Sequence, residues 1–165
     1  MSTRQIAYIA VLAALYIIVG QFTRFIPNPM VRGGSTIALN MVVIVIGGIL
    51  LGPLQGALIG LIGTGLNAFI TSGQASGTYE LAAIIPHTIM GLTAGLVGRR
   101  SLVLGALTII VGHVLNIFAF LMAGLLPATQ LVATIFAVGL LAEVVIDVVV
   151  ILIVVPLLRP ALRSA

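Results

Sequence analysis

Two carboxylates sit in an otherwise apolar run, "LLAEVVIDVVVILIVV" at residues 140–155, which contains Glu143 and Asp147. A central acidic residue costs roughly 2.5–3.5 kcal/mol on membrane-insertion scales, so each such residue is a functional candidate. Four residues apart, the two share one helix face. A second apolar run, 102–123, carries His113 and Asn116 at i, i+3, again on one face. A third, 79–97, carries Tyr79, Glu80 and His87. These seven residues are the candidate substrate-binding set.

Each of the seven has a structural reading beside the functional one. His113 either pairs with Asp147 or Glu143 to lock two helices, or contacts a ligand. Glu143, nearer the outer end with Asn116, reads more readily as a ligand contact. His87 follows Pro86, whose missing N–H frees a carbonyl one turn earlier, so His87 either satisfies local backbone or faces a site. Glu80 borders a polar loop, where a solvated helix N-terminus competes with a binding role. Two histidines and two carboxylates could ligate a metal, but they lie on three helices without a certifying spacing, and no metal site is expected. Without H-E-x-x-H, G-x-S-x-G or a serine with a base partner, neither an enzyme nor a cofactor is expected.

The composition sets where these groups must act. The 165 residues are 61% hydrophobic and 6% charged, with a mean hydropathy of +1.36. So few charges cannot cover a soluble domain, and the apolar residues form long runs, so an integral membrane protein is expected. The basic residues are Arg4, Arg24, Arg32, Arg99, Arg100, Arg159 and Arg163, at the ends of apolar runs rather than on one face. That placement belongs to membrane spans and argues against nucleic acid. With no cysteine, redox chemistry does not report the compartment. Arg4 and the apolar 6–19 resemble a secretory signal, but no A-x-A site follows and the pattern recurs, so the segment reads as a first span.

Prolines, glycines and polar clusters divide the chain into six expected transmembrane helices: Arg4–Phe22, Ile37–Leu51, Leu54–Ile70, Tyr79–Val97 with a kink at Pro86, Leu102–Ala123 and Leu131–Leu158. The last would be roughly 42 Å long against a hydrocarbon core of about 30 Å, so it tilts or protrudes. Glu143 and Asp147 then fall near the bilayer midplane. With the N-terminus cytoplasmic, Arg4, Arg99, Arg100, Arg159 and Arg163 lie inside and Arg24 and Arg32 outside, which favours both termini inside. The expected fold is all-α, one six-helix transmembrane domain over 1–165. It has no nucleotide-binding motif, so an ion gradient or a partner must supply energy.

Small residues mark close packing. Gly52, Gly56, Gly60 and Thr64 recur every fourth residue with Gly63 beside them, which favours packing within the bundle. Ala10 and Ala14, with Ala7 a turn earlier, suit either packing or a partner interface. The first outer loop, "FTRFIPNPMVRGG", suits either a semi-rigid flap over a cavity or headgroup anchoring by Arg24 and Arg32.

Six short spans at this length resemble the substrate-binding S components of energy-coupling factor (ECF) transporters. The resemblance rests on "LLGPLQGALIGLIGTGLNAFI" at 50–70, "IIPHTIMGLTAGLVGRR" at 84–100 and the A-x-x-x-A at Ala10 and Ala14. Many members carry an acidic residue where this chain has Asn67. The resemblance implies a subunit that binds a vitamin or related micronutrient from outside, capped by the first outer loop. It implies docking, through Ala10 and Ala14, to a coupling transmembrane subunit driven by two ATPase subunits. Glu143 would then face a water-filled cavity and accept hydrogen bonds from a substrate amine or amide, with Asp147 orienting His113 at the pocket floor. Tyr79, Phe118 and Phe120 are the aromatic options for a flat ligand, since the chain has no tryptophan. Metal-transporting relatives begin Met-His, whereas this chain begins Met1-Ser2, which argues against a metal substrate. The competing readings are a solitary proton-coupled secondary transporter, with His113 and Asp147 as its relay, and a non-catalytic structural membrane subunit.

Overall fold

A computed structural model of the chain describes residues 1–23, 25–26, 38–130 and 138–163. Among these, six α-helices follow one another: α1 Thr3–Thr23, α2 Met41–Leu51, α3 Pro53–Ile70, α4 Ala75–Gly98, α5 Leu102–Met122 and α6 Val138–Arg163. A single 3-10 turn, Ala128–Gln130, precedes α6. Most of the expected flap, including Arg24 and Arg32, and the first residues of the expected sixth helix lie outside the described residues.

Five of the six helices, all but α2, are long and apolar enough to cross a membrane. The expected six helices are present, and the second, α2, is shorter, its 11 described helical residues extending about 16 Å. It starts at Met41 because Ala38–Asn40 form a turn, with Met41 N–H donating to the Ala38 carbonyl at 2.9 Å. α2 is apolar all round, and Met41–Ile49 are buried on every side. A helix with no polar face belongs at the centre of a bundle, and the other five helices all pack on α2.

The turn into α3 is set by Gly52 and Pro53. Gly52 takes φ 120°, open to glycine alone among ordinary residues, while its N–H closes α2 on the Gly48 carbonyl. Pro53 then opens α3 at a position where no backbone N–H is needed. The glycine ladder does pack within the bundle. A Cβ on Gly60 would lie 2.5 Å from the His87 carbonyl oxygen, and one on Gly56 would meet the Gly91 carbonyl and the Gly48 Cα. The backbones of α2, α3 and α4 thus touch directly, the close approach that stabilises helices in lipid.

α4 begins at Ala75, a turn before the expected Tyr79, and passes through Pro86 unbroken. Its first turn is held by Gly77, which lies against the Thr71 carbonyl too closely for any side chain. Ser101 caps α5 by accepting from the Leu104 N–H at 3.3 Å. α6 runs to Arg163 with Pro156 and Pro160 inside it, beyond the expected stop at Leu158.

Candidate functional site

A cavity of about 440 Å³, counting its open mouth, lies at the end of the bundle where α1 and α5 finish and α4 begins. Gly20 and Thr23 come from α1, Ala38 and Asn40 from the turn before α2, Ser76, Tyr79, Glu80, Ala83 and His87 from α4, and Asn116 and Phe120 from α5. Four of the seven candidate residues line it: Tyr79, Glu80, His87 and Asn116. His113, Glu143 and Asp147 do not. The helical period explains the set on α4, since 76, 79/80, 83 and 87 recur on one face.

Beneath the cavity runs a directed chain of hydrogen bonds. The Asn116 amide nitrogen faces His87 Nε2 at 3.0 Å, so Nε2 accepts and the ring proton sits on Nδ1. That proton is shared by the hydroxyl oxygens of Thr64 at 2.8 Å and Tyr16 at 3.1 Å. Tyr16 in turn donates to Glu80 Oε2 at 2.9 Å. Asn40 and Asn67 lie near enough to the Glu80 carboxylate to stabilise its charge, and Gln21 Nε2 donates to Asn67 Oδ1 at 3.0 Å. The chain leaves one end open: Asn116 Oδ1 is buried and, among the described residues, has no partner.

Two expectations change here. His87 bonds side chains of α1, α3 and α5 through its ring rather than local backbone. Glu80 is no solvated N-terminal residue, because α4 starts five residues earlier and Tyr16 holds its carboxylate. The departure at Asn67 also acquires a reason, since an acidic residue there would set a second carboxylate against Glu80.

The aromatic wall is Tyr79 on Phe120, edge to face with ring centroids 5.0 Å apart. Tyr79 is fixed by donating to the Leu125 carbonyl at 3.3 Å. Phe118 points outward, 49% exposed, and is no part of the wall.

The two carboxylates of α6 form a separate group. Glu143 Oε1 accepts the Ala38 N–H at 2.6 Å, so it ties α6 to the cavity's edge instead of facing the cavity. Asp147 Oδ2 stands 3.4 Å from His113 Nε2, and Asp147 Oδ1 is buried and, among the described residues, has no partner. His113 and Asn116 diverge because α5 lies between α4 and α6: one turn apart, they serve opposite neighbours.

Ala10 and Ala14 are exposed on α1, together with Ala7, while Ile9, Ala13 and Tyr16 on the other face are buried. Tyr16, Thr64, Asn40 and Asn67 were not singled out as site residues from the sequence. The one available signal was Asn40, a polar residue directly before an unbroken apolar run.

A family model described as ECF-type riboflavin transporter, S component, matches residues 1–164. Comparison with curated proteins and with solved structures returned no match. The family match agrees with the all-helical bundle and its span-length helices. The chain belongs to this family of multi-pass membrane proteins, the substrate-binding and non-enzymatic S components of ECF transporters.

Proposed function

We propose that the chain is the high-affinity, membrane-embedded subunit that captures riboflavin or a closely related flavin for an ECF importer. The observation that carries this reading is the unpartnered Asn116 Oδ1 on a residue of the cavity wall, beside the Tyr79–Phe120 pair. A flavin offers a flat ring system with an imide N–H flanked by carbonyls, and a polyol tail. The imide N–H suits Asn116 Oδ1, the ring suits the aromatic wall, and Thr23, Ser76, Asn40 and Glu80 suit hydroxyls and carbonyls. Membership of the ECF-type riboflavin transporter S component family supports the same ligand class.

The 165 residues act as one domain in the cytoplasmic membrane with both termini inside. Arg4, Arg99 and Arg100 sit at the end of the bundle away from the cavity, so in this orientation the cavity opens outward, as import requires. Energy comes from a coupling transmembrane subunit with two ATPase subunits, docked through the exposed Ala10 and Ala14 of α1.

Titrating riboflavin with the purified protein in detergent, and following quenching of flavin fluorescence, tests this. Saturation at one flavin per chain is expected. Asn116→Leu should weaken binding about 10- to 100-fold, corresponding to a buried hydrogen bond of ~1.5–3 kcal/mol. If riboflavin is not bound but another stoichiometric compound is found by mass spectrometry, the flavin assignment is wrong and the binding role stands. If nothing is bound, the binding role fails as well.

A further inference from the structure

We propose that His113, Glu143 and Asp147 form a binding site for a divalent transition-metal ion of the Zn2+ type, distinct from the substrate cavity. One nitrogen or oxygen from each of the three residues lies within 4.8 Å of the others. All three are buried, at 6%, 3% and 0% exposure.

Charge balance is the first argument. Two carboxylates face one imidazole, and with both ionised even an imidazolium would leave one negative charge in a low-dielectric bundle. Among the described residues, the hydrogen-bond and ion-pair partners of these carboxylates are the Ala38 N–H and the His113 ring. The described arginines sit at helix ends: Arg4 in the first turn of α1, Arg99 and Arg100 after α4, and Arg159 late in α6. A doubly charged cation bound by a neutral imidazole and two carboxylates makes the group neutral.

Geometry is the second. A charge-assisted N–H···O bond closes to about 2.7–2.9 Å, yet His113 Nε2 and Asp147 Oδ2 stand 3.4 Å apart. Two ligand atoms each about 2.0–2.1 Å from a shared tetrahedral ion lie roughly 3.3–3.4 Å from one another. Asp147 Oδ1, with no exposed surface and, among the described residues, no partner, is an acceptor that helix packing alone does not use. The donor set, one imidazole and two carboxylates, suits a borderline ion better than a soft one.

The group also lies close to the cavity. Ala38, bonded to Glu143, and Asn116, one turn from His113, both line the cavity. The three ligands come from α5 and α6, and Glu143 is already fastened to the turn before α2. A bound ion would therefore join three elements that here share only two polar contacts.

The test uses the full chain in detergent with its affinity tag removed, stripped with chelator, dialysed against Zn2+ and analysed for metal by mass spectrometry. One Zn2+ per chain is expected, with a thermal midpoint that rises with free Zn2+. Asp147→Asn and His113→Gln should each lose the metal, and Glu80→Gln, altered in the substrate cavity, should keep it. A parent chain that takes up no stoichiometric Zn2+ overturns the proposal. So does an Asp147→Asn protein, helical and monodisperse, that holds as much Zn2+ as the parent. Neither result bears on flavin binding.

Discussion

Replacing Tyr16 by Phe removes one hydroxyl from the interior and leaves the ring where it is. The ring stays edge-on to His87, 5.8 Å between centroids, and still covers Gly63. What is lost is the bond to Glu80 Oε2 and the contact with His87 Nδ1. A hydrogen bond to a charged acceptor contributes roughly 1.5–3 kcal/mol in soluble proteins. Between membrane helices the average falls to about 0.6 kcal/mol and the largest values to about 1.7, because the unfolded chain in lipid also finds partners. Here both partners keep other support: His87 Nδ1 still donates to Thr64, and Asn40 and Asn67 still stabilise the Glu80 carboxylate. The expected loss is therefore ~1–1.5 kcal/mol, above the membrane average because Tyr16 is wholly buried. Most of it should run through Glu80, so a cycle with Glu80→Gln should show a coupling of about 1 kcal/mol. Reversible unfolding in mixed micelles measures all four proteins. A Tyr16→Phe change below ~0.3 kcal/mol, additive with Glu80→Gln, would refute the directed chain as a stabilising unit.

Further outcomes follow from exposure and contact. Gly56→Ala drives a Cβ into the backbone of Gly91 and Gly48, where no side chain can yield, and should destabilise the bundle by ~1–3 kcal/mol. Gly65, on the same helix with nothing within 4 Å, should accept alanine with no loss and a gain of up to ~1 kcal/mol in helix propensity, read in the same unfolding assay. Ala10→Leu with Ala14→Leu should leave flavin affinity within about twofold, since both residues face away from the cavity. The same pair should abolish co-purification with the coupling subunit; retained co-purification would remove α1 as the docking face.

Helix ends were legible wherever backbone chemistry alone decides them. Gly52-Pro53 and Arg99-Arg100 are turns in the structure as in the sequence. The ladder from Gly52 to Thr64 read correctly because a fourfold repeat of small residues has one geometric use. The start of α4 did not, because "SGQASGT" has loop composition, although its second half is helical and seats Gly77 against Thr71. That shift moved Glu80 from a helix tip into the interior. The site itself was half legible. Polar residues in apolar runs stand out, which found Glu80, His87 and Asn116. Which neighbour each one meets depends on the order of helices around α2, which one chain's periodicity does not state. Glu143 was expected in the cavity and instead holds its rim, because α6 lies behind the turn at Ala38. Tyr16 was silent, since one hydroxyl at the tip of an aromatic ring scarcely disturbs an apolar pattern.

The direct backbone contacts among α2, α3 and α4 bear on how the molecule can move. Side chains that interlock can change rotamer and let two helices slide by small steps. Glycine against carbonyl has no rotamers to change, so these three helices are either seated or apart, and behave as one stiff plate. Within an 18-residue apolar stretch, α1 and α6 each bury only 22% of residues, against 44% for α3, α4 and α5. Compliance must therefore concentrate in the two outer helices. Both are tied to the cavity by a few polar links: Tyr16 to Glu80 and His87 with Gln21 to Asn67 on one side, Glu143 to Ala38 on the other. A ligand that strengthens or strains any of these links changes the resting angle of a loosely held helix against a fixed plate. Any surface that reads that angle, such as the alanine face of α1, can report occupancy without the core being rearranged.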